Sequence, residues 1–171
     1  MKIILLCLIT CSFALFAKLS EGELPPKVVI SGELGGKVPE GEWNSESLRG
    51  KVHVLFYVDP DEDKLNKPLE KILDQANFPK KHYQSIGVVN MDATWLPNIA
   101  IESKLKSKQN EYPDVIYVRD NEKTLVNSWS LQDNSYDVVA FDKEGKVFFY
   151  KDGKVSDREA EKLVKLIQER L

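Results

Sequence analysis

The sequence predicts an α/β sandwich built on a mixed β-sheet, and three observations carry the prediction. Two strongly apolar segments, Val52 to Val58 and Ser85 to Met91, are each followed by a stretch with helical spacing. Val138 to Phe141 and Lys146 to Tyr150 flank Asp142-Lys143-Glu144-Gly145, a hairpin signal that adds antiparallel strands to the sheet. The chain then closes on an amphipathic helix. Strands alternating with helices, followed by a hairpin, require helices packed on a central sheet.

The elements follow in order. Ser20 to Lys27, with Pro25-Pro26, reads as an extended lead-in. Val28-Val29-Ile30 and the stretch from Leu34 to Val38, joined through Gly32, Gly35 and Gly36, predict a short irregular hairpin, an N-terminal β extension of the sandwich. Trp43 to Lys51 reads as one polar helical turn stopped by Gly50. Val52 to Val58 is apolar on both faces, as a central strand covered by helices must be.

Asn66 is placed to cap a helix with Pro68 in its tolerant first turn and Leu69, Ile72, Leu73 and Ala76 on one face. Ser85 to Met91 is the next buried strand, and Asn98 to Lys108 reads as a helix with a thin apolar face. Val115 to Val118 is a strand ended by a turn over Arg119 to Glu122. In the last helix Ser156 and Glu159 form a capping box, and Ala160, Leu163, Val164 and Ile167 form one stripe.

The first 17 residues read as a signal peptide rather than as part of the fold. Met1-Lys2 is a short positive start, Ile3 to Phe16 is almost wholly apolar, and Ala17 is a small residue before polar Lys18. The run is shorter than the roughly 20 residues a membrane span needs. Leu8-Ile9-Thr10-Cys11 is the competing reading, a lipoprotein box, although Thr10 is larger than the residue usual there. Cleavage near Ala17 leaves residues 18–171 as a single periplasmic domain with no stable membrane anchor. That length is enough to bury roughly 70% of the unfolded surface without staples.

Both cysteines, Cys7 and Cys11, lie in the signal, so the exported chain has no thiol for a disulfide, a zinc site or a redox cycle. The net charge of −3 excludes a general nucleic-acid binder, which needs a basic face.

Ser47-Leu48-Arg49-Gly50-Lys51-Val52 before an apolar strand, and Tyr136 to Val147 with its Asp142-to-Gly145 turn, resemble the peroxiredoxin/TlpA-like branch of the thioredoxin superfamily. Trp43-Asn44-Ser45, Gly50-Lys51-Val52, Tyr83-Gln84 running into Val88 to Asp92, Tyr112-Pro113 and Asp152-Gly153 resemble, in that order, the YtfJ family of exported bacterial proteins. The resemblance covers essentially the whole exported chain. It implies a thioredoxin-like three-layer sandwich and residence in the periplasm, and it implies no reaction.

Two departures from catalytic relatives stand out. The strand-to-helix turn reads Asp59-Pro60-Asp61-Glu62-Asp63 instead of Cys-x-x-Cys, and a carboxylate cannot replace an attacking thiolate. Tyr136 stands where those relatives place a cis-proline, and its own peptide is expected trans because a non-proline cis bond costs roughly 3 kcal/mol. Pro113 precedes the wrong strand to substitute for it. Thiol oxidoreductase activity is therefore not expected, and the resemblance supplies no other enzyme activity.

The expected contact surface is the former active-site position: Asp59, Asp61 and Glu62, with Trp95 and Tyr136 nearby. Its occupant is expected to be a periplasmic protein partner or a small ligand. Trp43, Tyr112 and Trp129 are further aromatic candidates, against the commoner reading of aromatics as packing.

The alternative is calcium or another cation, since Asp59-x-Asp61-x-Asp63 with Glu70 twelfth reproduces EF-hand ligand spacing. Against it, Lys64 takes the place of the loop's turn glycine, and a strand precedes the loop. His53 begins the strand that Asp59 ends, about 20 Å away, so no histidine-carboxylate pair forms at the loop. His82 likewise lies at the far end of its strand.

Overall fold

The computed structural model describes residues 18–171; the expected signal segment, with Cys7 and Cys11, lies outside the described residues. Among the described residues are eight strands and four α-helices. They are β1 (Val29–Ile30), β2 (Gly35–Lys37), β3 (Trp43–Asn44), β4 (Val52–Val58), α1 (Lys67–Gln75), β5 (Tyr83–Asn90), α2 (Asn98–Glu111), β6 (Ile116–Asp120), α3 (Thr124–Trp129), β7 (Tyr136–Phe141), β8 (Val147–Lys151) and α4 (Asp157–Gln168).

The sheet runs in the order β2-β6-β5-β4-β7-β8. β4, β5 and β6 are parallel, while β7, β8 and β2 are antiparallel to their neighbours. This is the mixed sheet expected. Central β4 is apolar on both faces because α1 and α4 cover one side and α3 with the N-terminal segments the other.

The period of two along each strand divides the core. Val52, Val54 and Phe56 of β4 meet Leu69 and Leu73 of α1 and Leu163 and Ile167 of α4. Leu55 and Tyr57 face the opposite way, against Trp43, Trp129 and the β1/β3 ribbon. α2 joins the α1 face through Ile101 and Leu105, packed on Val38 and Met91. Fully burying one such Leu or Ile contributes about 2 kcal/mol, so these stripes hold the helices on the sheet.

Two local expectations are corrected. β1 does not pair with β2: β1 pairs with β3, whereas β2 crosses to the edge of the main sheet and pairs with β6. Gly35 permits this, because a Cβ there would stand 2.1 Å from the Arg119 carbonyl oxygen, and its φ is +116°. The turn expected at Arg119 to Glu122 also begins late. β6 runs to Asp120 and is followed by α3, a helix the sequence pattern does not announce. Buried Asp120 starts that helix by accepting the amides of Thr124 (2.8 Å) and Leu125 (3.0 Å).

Asn66 does precede α1, but its side chain makes no cap bond. It reaches instead to the connection before α4, donating to the Gly153 carbonyl at 2.9 Å and accepting the Val155 amide at 2.8 Å. The expected capping box of α4 is present at Ser156 and Glu159. The peptide at Tyr136 is trans, and the cis peptide among the described residues is Val38-Pro39. Among the described residues, no helix is long and apolar enough to cross a membrane.

Candidate functional site

The parallel strands β4 and β5 end side by side, and the loops leaving them form one rim. After β4, Asp59 caps a single 3-10 turn, Pro60–Glu62, by accepting the Asp61 amide at 2.8 Å, with proline in the first position. Its own amide donates to the Ser135 carbonyl at 2.9 Å, tying the loop to the start of β7. Asp59 is buried, and burial pushes its carboxyl above the ordinary range, helped by the nearby charges of Asp61, Glu62 and Asp133.

Asp61 and Glu62 project into solvent from that turn. After β5, the Thr94 hydroxyl donates to Asp61 Oδ1 at 3.2 Å and also accepts the Leu96 amide. This clamp sets Trp95 beside the acidic turn with 86% of its surface exposed, and Ile99 in the first turn of α2 is 79% exposed. On the rim's other side Lys123 bridges Asp133 at 2.7 Å and Asp92 at 3.4 Å, while the Asn90 amide donates to Asp133 at 3.0 Å.

The structure therefore brings together Asp61, Glu62 and Trp95 and adds Ile99. It withdraws two expected contact residues, Asp59 and Tyr136, into the interior. Tyr136 pairs with Val58 in the sheet, packs edge-on against Phe56 at 6.0 Å, and donates its hydroxyl to Glu70 at 2.7 Å. Trp43 and Trp129 are fully buried in a T-shaped pair at 6.1 Å, with the Trp129 indole donating to the Pro26 carbonyl. They are core rather than surface, as the packing reading of aromatics has it. Tyr112 is exposed at the far end of α2.

The four carboxylates of the EF-hand spacing do not converge. Asp59 is committed to the Asp61 amide, Asp61 to Thr94, Asp63 to Lys104, and Glu70 to Lys67 and Tyr136. Among the described residues, no three His, Cys, Asp or Glu side chains are grouped to hold a metal ion. His53 is buried at the opposite end of β4, its Nδ1 3.0 Å from the Lys51 carbonyl, and burial lowers its pKa.

Next to the rim lies a concavity that no sequence motif announces. Between α1 and α2 a cleft of about 810 Å³ runs over the sheet, reached at one end by Pro60, Asp63 and Leu96 of the rim. Its floor is one face of β5, namely Tyr83, Ser85, Gly87 and Val89. The signal was present: Ile86 and Val88 alternate with smaller or polar residues, so only one face of β5 is suited to tight packing.

Compared with known proteins, residues 27–170 match the YtfJ_HI0045 family, described as a bacterial protein of unknown function. The chain belongs to this family. It is 31% identical over 133 residues to the uncharacterized protein YtfJ of Escherichia coli K12, spanning 75% of this chain and 72% of that one. Among solved structures it is similar to a thiol-disulfide isomerase from Corynebacterium glutamicum, with a TM-score of 0.59 and 17% identity over 86% of this chain and 95% of that one. It is also similar to a peroxiredoxin-like protein from Aquifex aeolicus, with a TM-score of 0.62 and 14% identity over 90% and 89% of the two chains.

At such identities the structural likeness shows the fold alone, and that fold is thioredoxin-like, as the resemblance implied. This YtfJ_HI0045 member carries no cysteine anywhere in residues 18–171, and none at the strand-to-helix position.

Proposed function

We propose that this protein is an exported, non-redox binding module of the thioredoxin fold that docks a periplasmic protein through its rim. The carrying observation is Trp95, which stands 86% exposed beside the acidic turn, with exposed Ile99 one helical turn away. Large apolar side chains held in solvent cost hydration free energy unless a partner covers them, and Trp is enriched among residues that dominate binding. Asp61 and Glu62 flank this knob, so the complementary surface is an apolar recess edged by Lys or Arg.

The absence of thiols from residues 18–171 supports a non-redox role, since disulfide exchange starts from a thiolate. The positive start and apolar run before Ala17 support export.

The test places a photo-crosslinking amino acid at Trp95 and, separately, at exposed Lys162 on α4, in living cells. A specific adduct at position 95 alone is expected. The affinity of the identified partner should then fall at least tenfold in Trp95→Ala and fall further with Asp61→Ala. Adducts of equal yield at both positions, or an unchanged affinity, would remove the rim as the docking surface. Asp59 and Tyr136 are unsuitable for this test, because truncating a buried residue perturbs the fold.

A further inference from the structure

The cleft between α1 and α2 is chemically distinct from the acidic rim. Its floor along β5, Tyr83 to Val89, spans six residue steps, or about 20 Å. Gly87 lies midway, and a Cβ there would stand 3.1 Å from the Tyr117 ring, so the missing side chain lets that ring lie across the floor. Phe56, Leu73 and Leu105 supply apolar walls. The volume of about 810 Å³ falls within the range of small-ligand sites, roughly 300–1,000 Å³.

The charge of the cleft opposes that of the chain. Six lysines and four carboxylates line it, although the whole protein carries −3. Lys67 pairs with Glu70, Lys104 with Asp63 and Lys80 with Asp114. Half-buried Lys108, one turn along α2 from Lys104, has no carboxylate within ion-pair distance among the described residues. Burial lowers its pKa, and the charges of Lys67 and Lys104 act in the same direction, together outweighing the opposite effect of Glu70 and Asp63. The nearby carboxylates Glu70 and Asp63 are already paired with Lys67 and Lys104, so a half-buried Lys108 without an ion-pair partner of its own is stabilised by an incoming anion.

We propose that the cleft binds an amphiphilic organic acid, its apolar body lying over the Tyr117 ring that covers Gly87 and its anionic group meeting Lys108 Nζ. The site is independent of the rim, so the partner docked by Trp95 and the acid held by Lys108 are separate occupants.

Calorimetry on the purified protein at pH 7, below micellar concentrations, tests this with decanoate, decanol and decylammonium. Decanoate should bind at least tenfold more tightly than decanol, and decylammonium more weakly than either. Lys108→Met should remove the preference for decanoate over decanol. Lys71→Met, which deletes an exposed lysine at the cleft edge, should leave it intact. Ala100→Phe, at an exposed position of α2 that lines the cleft, should weaken decanoate and decanol alike. The proposal is overturned if decanoate fails to bind, if decanol matches it, or if Lys71→Met and Lys108→Met weaken decanoate equally.

Discussion

The hydroxyl of Tyr136 donates to Glu70 at 2.7 Å, joining the first residue of β7 to the first turn of α1. In a thioredoxin-like enzyme the corresponding strand start docks substrate; here it fastens two elements of the core. Tyr136→Phe removes only that bond, and Glu70 keeps Lys67 at 2.6 Å. A hydrogen bond to a charged group contributes about 1.5 kcal/mol or more, so the midpoint of urea unfolding should fall while partner binding at the rim stays unchanged. A loss of binding at unaltered stability would place Tyr136 in the contact surface after all.

Asn66 is the second fastening, between α1 and the connection to α4. Asn66→Ala leaves the buried Val155 amide and the Gly153 carbonyl without their partners, a loss of about 2 kcal/mol. Hydrogen exchange at the Val155 amide should accelerate along with the drop in stability. Retained protection at Val155 would show that the side chain is not what holds this connection.

Asp137 makes the fold sensitive to pH. It is fully buried on β7, accepts the Tyr150 hydroxyl at 2.9 Å, and leaves its other oxygen unpartnered. Burial raises its pKa to about 7, although the Tyr150 bond acts the other way. In the unfolded chain an aspartate titrates near 3.9, so the native state holds the proton more tightly, and stability falls as pH rises from about 4 to about 7. The full effect is on the order of 4 kcal/mol. Melting temperature should decline across that window in the parent protein and decline less in Asp137→Asn. Equal slopes in the two proteins would mean that Asp137 is ionised in the fold.

Gly35 and Gly41 separate backbone strain from steric exclusion. Both hold φ near +115°, but only Gly35 faces a carbonyl at the position of the missing Cβ. Alanine at either costs about 1–3 kcal/mol in strain, and at Gly35 β2 must also move off β6. Gly35→Ala should therefore be the more destabilising and should expose the Asn121 amide, now bonded to Leu34, to exchange. Equal losses would leave strain as the whole cause.

The legible parts of this fold were those in which one local pattern decides the outcome. The apolar run of β4, the Asp142-to-Gly145 hairpin and the Ser156/Glu159 capping box each specify their element with neighbours in sequence. The N-terminal strands depend instead on partners 15 and 85 residues away, Asn44 for Val29 and Asp120 for Gly35, which no local periodicity encodes. α3 is hidden for a related reason. It has six residues, and its nucleating carboxylate, Asp120, sits in the preceding strand.

At the site, the place of the acidic turn was legible, but the division between buried Asp59 and exposed Asp61 was not. Asp59 caps a turn and its neighbours do not, and only the path of the backbone determines which carboxylate turns inward.

The distance along the chain from β4 to α1 has an engineering consequence. Eight residues, Asp59 to Asn66, separate the end of the strand from the first helical residue, and within them is a 3-10 turn of only three residues. A reactive thiol gains its low pKa from the aligned peptide dipoles at the start of a true helix, an effect that fades within a turn. Cysteines grafted at Asp59 and Glu62 would meet no such field, and one of them would be buried. Restoring the two letters would not restore the chemistry; a designer would have to shorten the loop and carry α1 back to the sheet, rebuilding the Asn66 tether on the way.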